Sequence, residues 1–234
     1  MTELLTEEGH RLRLEGEPRV GGESRVYEAR GPSGERWAVK LALLPLPAGR
    51  WLHEEYELLR ELGEDPRTAP HVARVRGRGH WGDRPFVALD WYPDTLATWV
   101  TRDPPVADRL AMARVVAQAV DALHDARPGL CHRDVKPSNV LLGPDGDVRL
   151  ADFGAARAAR PGATTTTTAV FSEGFAAPEL TLPVPARPAR HQDVYALAAT
   201  VFFTLVGHAP AAVARSARAL TPAGRALRGD HAGA

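Results

Sequence analysis

The run LCHRDVKPSNVLL at 130–142 sets a dense polar cluster between two apolar flanks. His132, Arg133, Asp134, Lys136 and Asn139 fall within eight consecutive positions, while the residues on either side read as buried strand. Charged side chains are almost never fully buried unless paired, so the flanks must anchor a loop whose own groups stay in contact with partners or solvent. Two readings compete. The cluster is either a solvated face or a constellation whose spacing serves chemistry, and richness in charge does not separate them.

The bulk of the chain narrows the classes. Acidic and basic residues balance at 29 each in 234 residues, so no strong field favours nucleic acid or anionic lipid. The single cysteine, Cys131, cannot close an intramolecular disulfide, and no Cys/His cluster has structural-zinc spacing. The start, MTELLTEEGHRLRLEGE, is acidic and mixed, unlike a secretory signal peptide. The apolar run at 196–206, ALAATVFFTLV, is too short to span a bilayer and reads as a buried helix. The expectation is a cytoplasmic protein with no nucleic-acid or membrane partner.

Along the chain the character changes once. Residues 11–14, 25–29 and 36–43 have strand patterning, and a Gly-Pro-Ser-Gly turn at 31–34 between the last two predicts a hairpin. From 50 to 62, Trp51, Leu52, Leu58, Leu59 and Leu62 recur at helical spacing among glutamates. Residues 72–75 and 86–91 read as further strands. After Asp94 the pattern is helical; 110–124 is apolar nearly all round, which predicts a buried helix. A Gly-Pro-Asp-Gly turn at 143–146 leads into a strand at 148–150. A polar segment from 155 to 172 carries Thr164, Thr165, Thr166, Thr167 and Thr168 in succession.

Several groups now fall into chain order: Lys40 ending WAVK, Asp134 and Asn139 five residues apart, Asp152 opening DFG, and Pro178–Glu179 closing APE. This set resembles the protein-kinase signature sequence, and Lys136 is the form typical of eukaryotic-like serine/threonine kinases. One such match is weak; four in order are specific. The resemblance covers residues from about 12 to about 207. It implies an α+β, two-lobed fold, with a small β-rich lobe over 1–92 and a larger, mainly helical lobe over 93–234.

The resemblance also implies roles. ATP is the phosphoryl donor, Mg²⁺ the metal with Mn²⁺ as an alternative, and a protein the substrate. Lys40 binds the α- and β-phosphates, held by a helix glutamate; Glu55 matches best and Glu54 is the neighbouring alternative. Asp134 orients the attacking hydroxyl, Lys136 steadies the γ-phosphate, and Asn139 and Asp152 hold metal. Gly21, Gly22, Val26, Ala38, Leu89, Asp90, Tyr92 and Leu141 match the nucleotide slot and its hinge. His132 matches a residue that packs under Phe153, and Asp193 one that anchors the catalytic-loop backbone. Arg133 matches a regulatory arginine, and the five threonines are either filler or phosphorylation sites.

Two departures stand out. In register, Arg19, Gly21 and Ser24 fall where the family has three glycines. The sequence also ends at 234, short of the roughly 50 residues that three more helices after Val206 need. That predicts a shortened helical lobe, with a partner protein or second copy covering it, and leaves Glu179 without an assigned arginine. A scaffolding pseudokinase and a small-molecule phosphotransferase remain as alternatives. The threonine-bearing segment and APE favour a protein kinase.

Overall fold

The structure, a computed structural model, describes residues 2–144, 146–158, 174–181 and 188–210. Six strands form one antiparallel sheet: β1 (Glu3–Leu5), β2 (Arg11–Val20), β3 (Ser24–Arg30), β4 (Arg36–Ala42), β5 (Val75–Trp81) and β6 (Arg84–Asp90). Their spatial order is β1-β2-β3-β4-β6-β5. The expected turn joins β3 to β4, with Gly34 at φ 84 and Gly31 N–H donating to Glu35 O at 2.8 Å.

Strand alternation divides the residues of this sheet between two faces. Trp37, Val39 and Leu41 of β4 go to one face and close a core with Tyr27, Ala29, Phe86 and Ala88. Ala38 and Lys40 go to the other. Val26 pairs with Lys40 across β3, and Val87 and Leu89 pair with Lys40 and Ala38 across β6, so these residues share that second face.

Helix α1 (Trp51–Glu64) packs against the second face through Trp51, Leu52 and Tyr56 with Ala42 and Val87. Its remaining stripe, Leu58, Leu59 and Leu62, enters a different core. That core is built with α3 (Val106–Ala126), β8 (Val140–Leu142), β9 (Val148–Leu150) and α5 (Arg190–Val206). One helix thus ties sheet to helices. Short elements complete the described set: β7 (Asp94–Thr95) beside β8, α2 (Leu96–Val100) and α4 (Gly154–Ala158).

The fold differs from the sequence expectation at four places. β1 carries no strong strand pattern, yet Leu4 is buried and pairs with Leu12. Residues 72–75 are not a strand; Val72 makes a single bridge to Leu150, and the strand begins at Val75. Its VRGRGHW sequence hides it, since glycine and arginine are poor strand signals. Gly79 is there for space: a Cβ would lie 2.7 Å from the Phe86 ring and 2.8 Å from Leu5 O.

Helix α3 buries one stripe, Arg109, Ala113, Val116, Val120 and Leu123, while Leu110 is 54% exposed. Much of its apolar content is alanine, which reads as hydrophobic but offers little area to bury. The apolar run at 196–206 likewise buries small and polar side chains, Ala196, Ala199, Thr200 and Thr204, and leaves Leu205 and Val206 partly in solvent. α5 ends at Gly207 in the left-handed region, φ 84. Its last carbonyls are satisfied from outside: buried Arg109 donates to Thr204 O at 3.3 Å and Leu205 O at 3.2 Å. Residues 211–234, where the shortened end was expected, lie outside the described residues.

Leu62 is fully buried in the core that joins α1 to the helices. Leu62→Ala is expected to destabilise the protein by about 2–5 kcal/mol, whereas exposed Leu110→Ala should stay within about 0.5 kcal/mol. Urea unfolding of both variants, compared at equal m-value, checks the contrast.

Candidate active site

The side chains of three segments distant in sequence meet at Lys40. Its Nζ donates to Glu55 Oε2 at 2.8 Å and Oε1 at 3.0 Å, and to Asp152 Oδ1 at 3.1 Å. Sheet pairing positions the lysine, and the inward face of α1 positions the glutamate, which is 3% exposed. Glu54, one residue off that face, instead pairs with Arg50 at 3.6 Å. Glu55 Oε1 also accepts from Phe153 N–H at 3.2 Å, so the same carboxylate grips lysine and DFG backbone.

Burial disfavours a charged Lys40, but Asp152 and Glu55 outweigh it and hold its pKa above the usual lysine value. Asp152 is pulled the other way: the Lys40 charge lowers its carboxyl pKa against a desolvation cost.

The HRD stretch forms a second knot. Asp134 Oδ2 accepts from Lys136 Nζ at 2.7 Å and from Asn139 Nδ2 at 2.9 Å, and Asn139 Nδ2 also reaches Asp134 O at 2.9 Å. Burial pushes the Asp134 carboxyl up, with Lys136 opposing and Asp152 adding to the rise. That last influence shows that the two knots lie within electrostatic reach of each other. His132 is fully buried, its ring centroid 4.4 Å from that of Phe153. Its Nε2 donates to Ala151 O at 3.1 Å and its Nδ1 accepts from Asp134 N–H at 3.3 Å, which fixes the tautomer.

Backbone strain concentrates here. Arg133 and Asp152 both sit at φ 64, a region unfavourable for residues with a Cβ. Asp193 holds the first: its Oδ2 accepts from His132 N–H at 2.7 Å and its Oδ1 from Arg133 N–H at 2.6 Å. His124 Nε2 completes the set at 2.8 Å from Asp193 Oδ2. Asp193 is fully buried, yet these donors outweigh desolvation and lower its pKa.

The remaining expected positions are distributed around the Lys40 face. Val26, Ala38 and Leu89 are half-buried on it, and Leu141 is half-buried on β8. Asp90 ends β6, its N–H donated to Arg74 O at 2.9 Å and its carboxylate paired with Arg76. Tyr92 is buried and its hydroxyl accepts from Arg74 N–H at 3.4 Å. Gly21 and Gly22 form the exposed turn between β2 and β3, with Gly21 N–H donating to Ser24 O at 2.9 Å. Arg19 pairs with Val26 and lays its guanidinium 5.9 Å from the Trp91 ring centroid. Thr164 to Thr168 lie outside the described residues, as do the arginines of the tail.

Residues 20–222 match the model of the protein kinase domain. The chain belongs to the protein kinase domain family. It is 36% identical over 197 residues to serine/threonine-protein kinase PknK of Mycobacterium tuberculosis, covering 81% of this chain and 17% of that one. It is 33% identical over 206 residues to serine/threonine-protein kinase PknF of the same organism, covering 81% of this chain and 41% of that one. With PknL the identity is 35% over 143 residues, 59% of this chain and 35% of the relative. The chain therefore spans well under half the length of these curated relatives.

Within this kinase-family frame, three participants escaped the sequence. Trp51 places its ring 5.4 Å from Lys40 Nζ, a cation–π contact on a residue whose helical spacing signalled only core. His124 looked like one more residue of an apolar helix until α5 brought Asp193 against it. Glu179 receives His191 Nε2 at 2.7 Å, a partner sought among later arginines.

The lowered pKa of Asp193 makes a linkage prediction. A folded pKa below the unfolded value of about 3.9 gives stability that is complete above that value and lost as pH falls through the folded one. Asp193→Asn is expected to cost about 1–3 kcal/mol at pH 7. The difference from wild type should shrink as pH drops below about 4, as read by urea midpoints across pH 3–7.

Proposed function

We propose that the chain is an ATP-dependent serine/threonine protein kinase that transfers the γ-phosphoryl group to a protein hydroxyl. The observation that carries this reading is the Lys40–Glu55–Asp152 ion cluster within electrostatic reach of Asp134, Lys136 and Asn139. Family membership and the serine/threonine-kinase names of PknK, PknL and PknF support it.

In this reading β1–β6 with α1 form a small lobe over 1–92 and the later helices a larger one over 93–234, with nucleotide between them. Val26, Ala38, Leu89 and Leu141 enclose the adenine; Asp90 and Tyr92 offer backbone groups at the hinge, and Gly21 and Gly22 admit phosphate. Phosphoryl transfer passes through a loose transition state, so positioning and charge neutralisation dominate. Lys40 orients the α- and β-phosphates. Asp134 receives the hydroxyl proton, for which a raised pKa suits it. Lys136, already against Asp134, steadies the transferring phosphoryl.

The donor set fits a hard cation. Asn139 spends its Nδ2 on Asp134, which leaves its amide oxygen as the ligand atom, and the Asp152 side chain is 46% exposed. A carboxylate, an amide oxygen and phosphates are what Mg²⁺ prefers, and Mn²⁺ accepts the same set. Bound there, the ion neutralises phosphate charge. Arg133 and Thr164 to Thr168 form the regulatory pair, with phosphothreonine drawn toward the arginine. The surroundings are cytoplasmic, and the partners are ATP and a protein substrate rather than nucleic acid or membrane. No helix among the described residues is long and apolar enough to cross a membrane.

ATP and Mg²⁺ with wild type, Lys40→Ala and Asp134→Ala, followed by phosphopeptide mapping, tests the proposal. Label on serine or threonine in wild type should fall by about 10²-fold or more in Asp134→Ala and similarly in Lys40→Ala. Equal label in all three defeats it. Nucleotide binding by a wild type that transfers no phosphate would favour a scaffolding role.

A further inference from the structure

Outside the Lys40 cleft, Glu7, His53 and His80 each bring one ligand atom within 4.8 Å of the others. They come from three elements: the turn after β1, the first turn of α1 and the next-to-last position of β5. The backbone holds that turn in place, since Glu7 N–H donates to Arg78 O at 2.7 Å and Thr6 bridges Gly79. We propose that Glu7, His53 and His80 form a surface binding site for a divalent transition metal of the zinc class, fastening α1 to β5 and the β1–β2 turn.

The donor chemistry is specific. Two imidazoles and one carboxylate, with a fourth position open to water, are a recurrent zinc set. His53 Nε2 lies 3.3 Å from Gly79 O, and a carbonyl can only accept, so this nitrogen carries the proton. The lone pair of His53 therefore resides on Nδ1. A backbone carbonyl that fixes the tautomer of a ligand histidine is the usual outer support of such a site.

Glu7 is oriented from the other side. Arg78 Nε holds Oε2 at 2.8 Å, and Oε1 lies 4.0 Å from His80 Nδ1. Two ligands of one tetrahedral zinc sit roughly 3.3 Å apart, so a side-chain rotation of under about 1 Å closes the pair. The His53 and His80 rings already meet edge to face at 4.9 Å. A second group, His124, Cys131 and Asp193, is also close enough for a metal. Its donors are committed: Asp193 accepts from two backbone N–H groups and from His124.

Calorimetric titration of the full chain with Zn²⁺, free of nucleotide and Mg²⁺, tests the site. One equivalent should bind, and His53→Ala and His80→Ala should each weaken it at least about 10-fold. Glu7→Gln, on an exposed turn, should weaken it as well and carries the test if a histidine variant misfolds by circular dichroism. His191→Ala, at a histidine outside the cluster, should bind as wild type does. Co²⁺ should give tetrahedral visible bands in wild type and lose them in the three variants, and Zn²⁺ should slow amide exchange in α1 of wild type alone. Zn²⁺ affinity and Co²⁺ bands unchanged in the Glu7 and histidine variants overturn the assignment.

Discussion

The contact between Lys40 and Glu55 is where the molecule is joined. β4 supplies the cation, α1 the anion, and the DFG segment closes on both through Asp152 and the Phe153 amide. Lys40 and Glu55 side chains are 13% and 4% exposed, so taking them from water is costly. A buried pair of this kind is weak evidence for stability, because desolvation offsets much of the attraction. Its consequence is positional: α1 cannot slide along the sheet without leaving a charge unpaired in a dry place.

Asp193 plays the matching part for the 130–142 loop. A single carboxylate on α5 collects the backbone N–H groups of His132 and Arg133 and the ring of His124. These bonds offset the strain of Arg133 at positive φ and set the direction in which Asp134 leaves the loop. His132, wedged between Phe153 and Ala151 O, couples that loop to DFG. The polar density of 130–142 is therefore divided. Asp134, Lys136 and Asn139 bond to one another, whereas His132 is an internal fastener with no exposed surface.

Much of this was legible because it depends on local pattern. The hairpin of β3 and β4, the span of α1 and the kinase-like order of Lys40, Asp134, Asn139 and Asp152 are written in spacing and turn chemistry. β5 was not, since its glycines are explained by the Phe86 ring across the hairpin and by the close approach of residues 5–8, which lie about 70 residues away in sequence. The inward faces of α3 and α5 were misjudged for a related reason. Hydrophobic counting overweights alanine, and it overlooks buried Arg109 and Asp193, which reach carbonyls of α5 and the 132–133 backbone respectively.

The amino-acid order by itself determined the family, the two regimes of sheet and helix, and the kinds of group available for chemistry. Only the tertiary structure decided that Glu55 rather than Glu54 meets Lys40, that His124 is a partner of Asp193, and that Glu7, His53 and His80 converge. Periodicity specifies which face of an element is buried, but not what lies opposite. Hydrogen bonds and ion pairs act within about 3–4 Å, and closing that distance between segments as far apart as Lys40 and Asp152 is the work of the packed core.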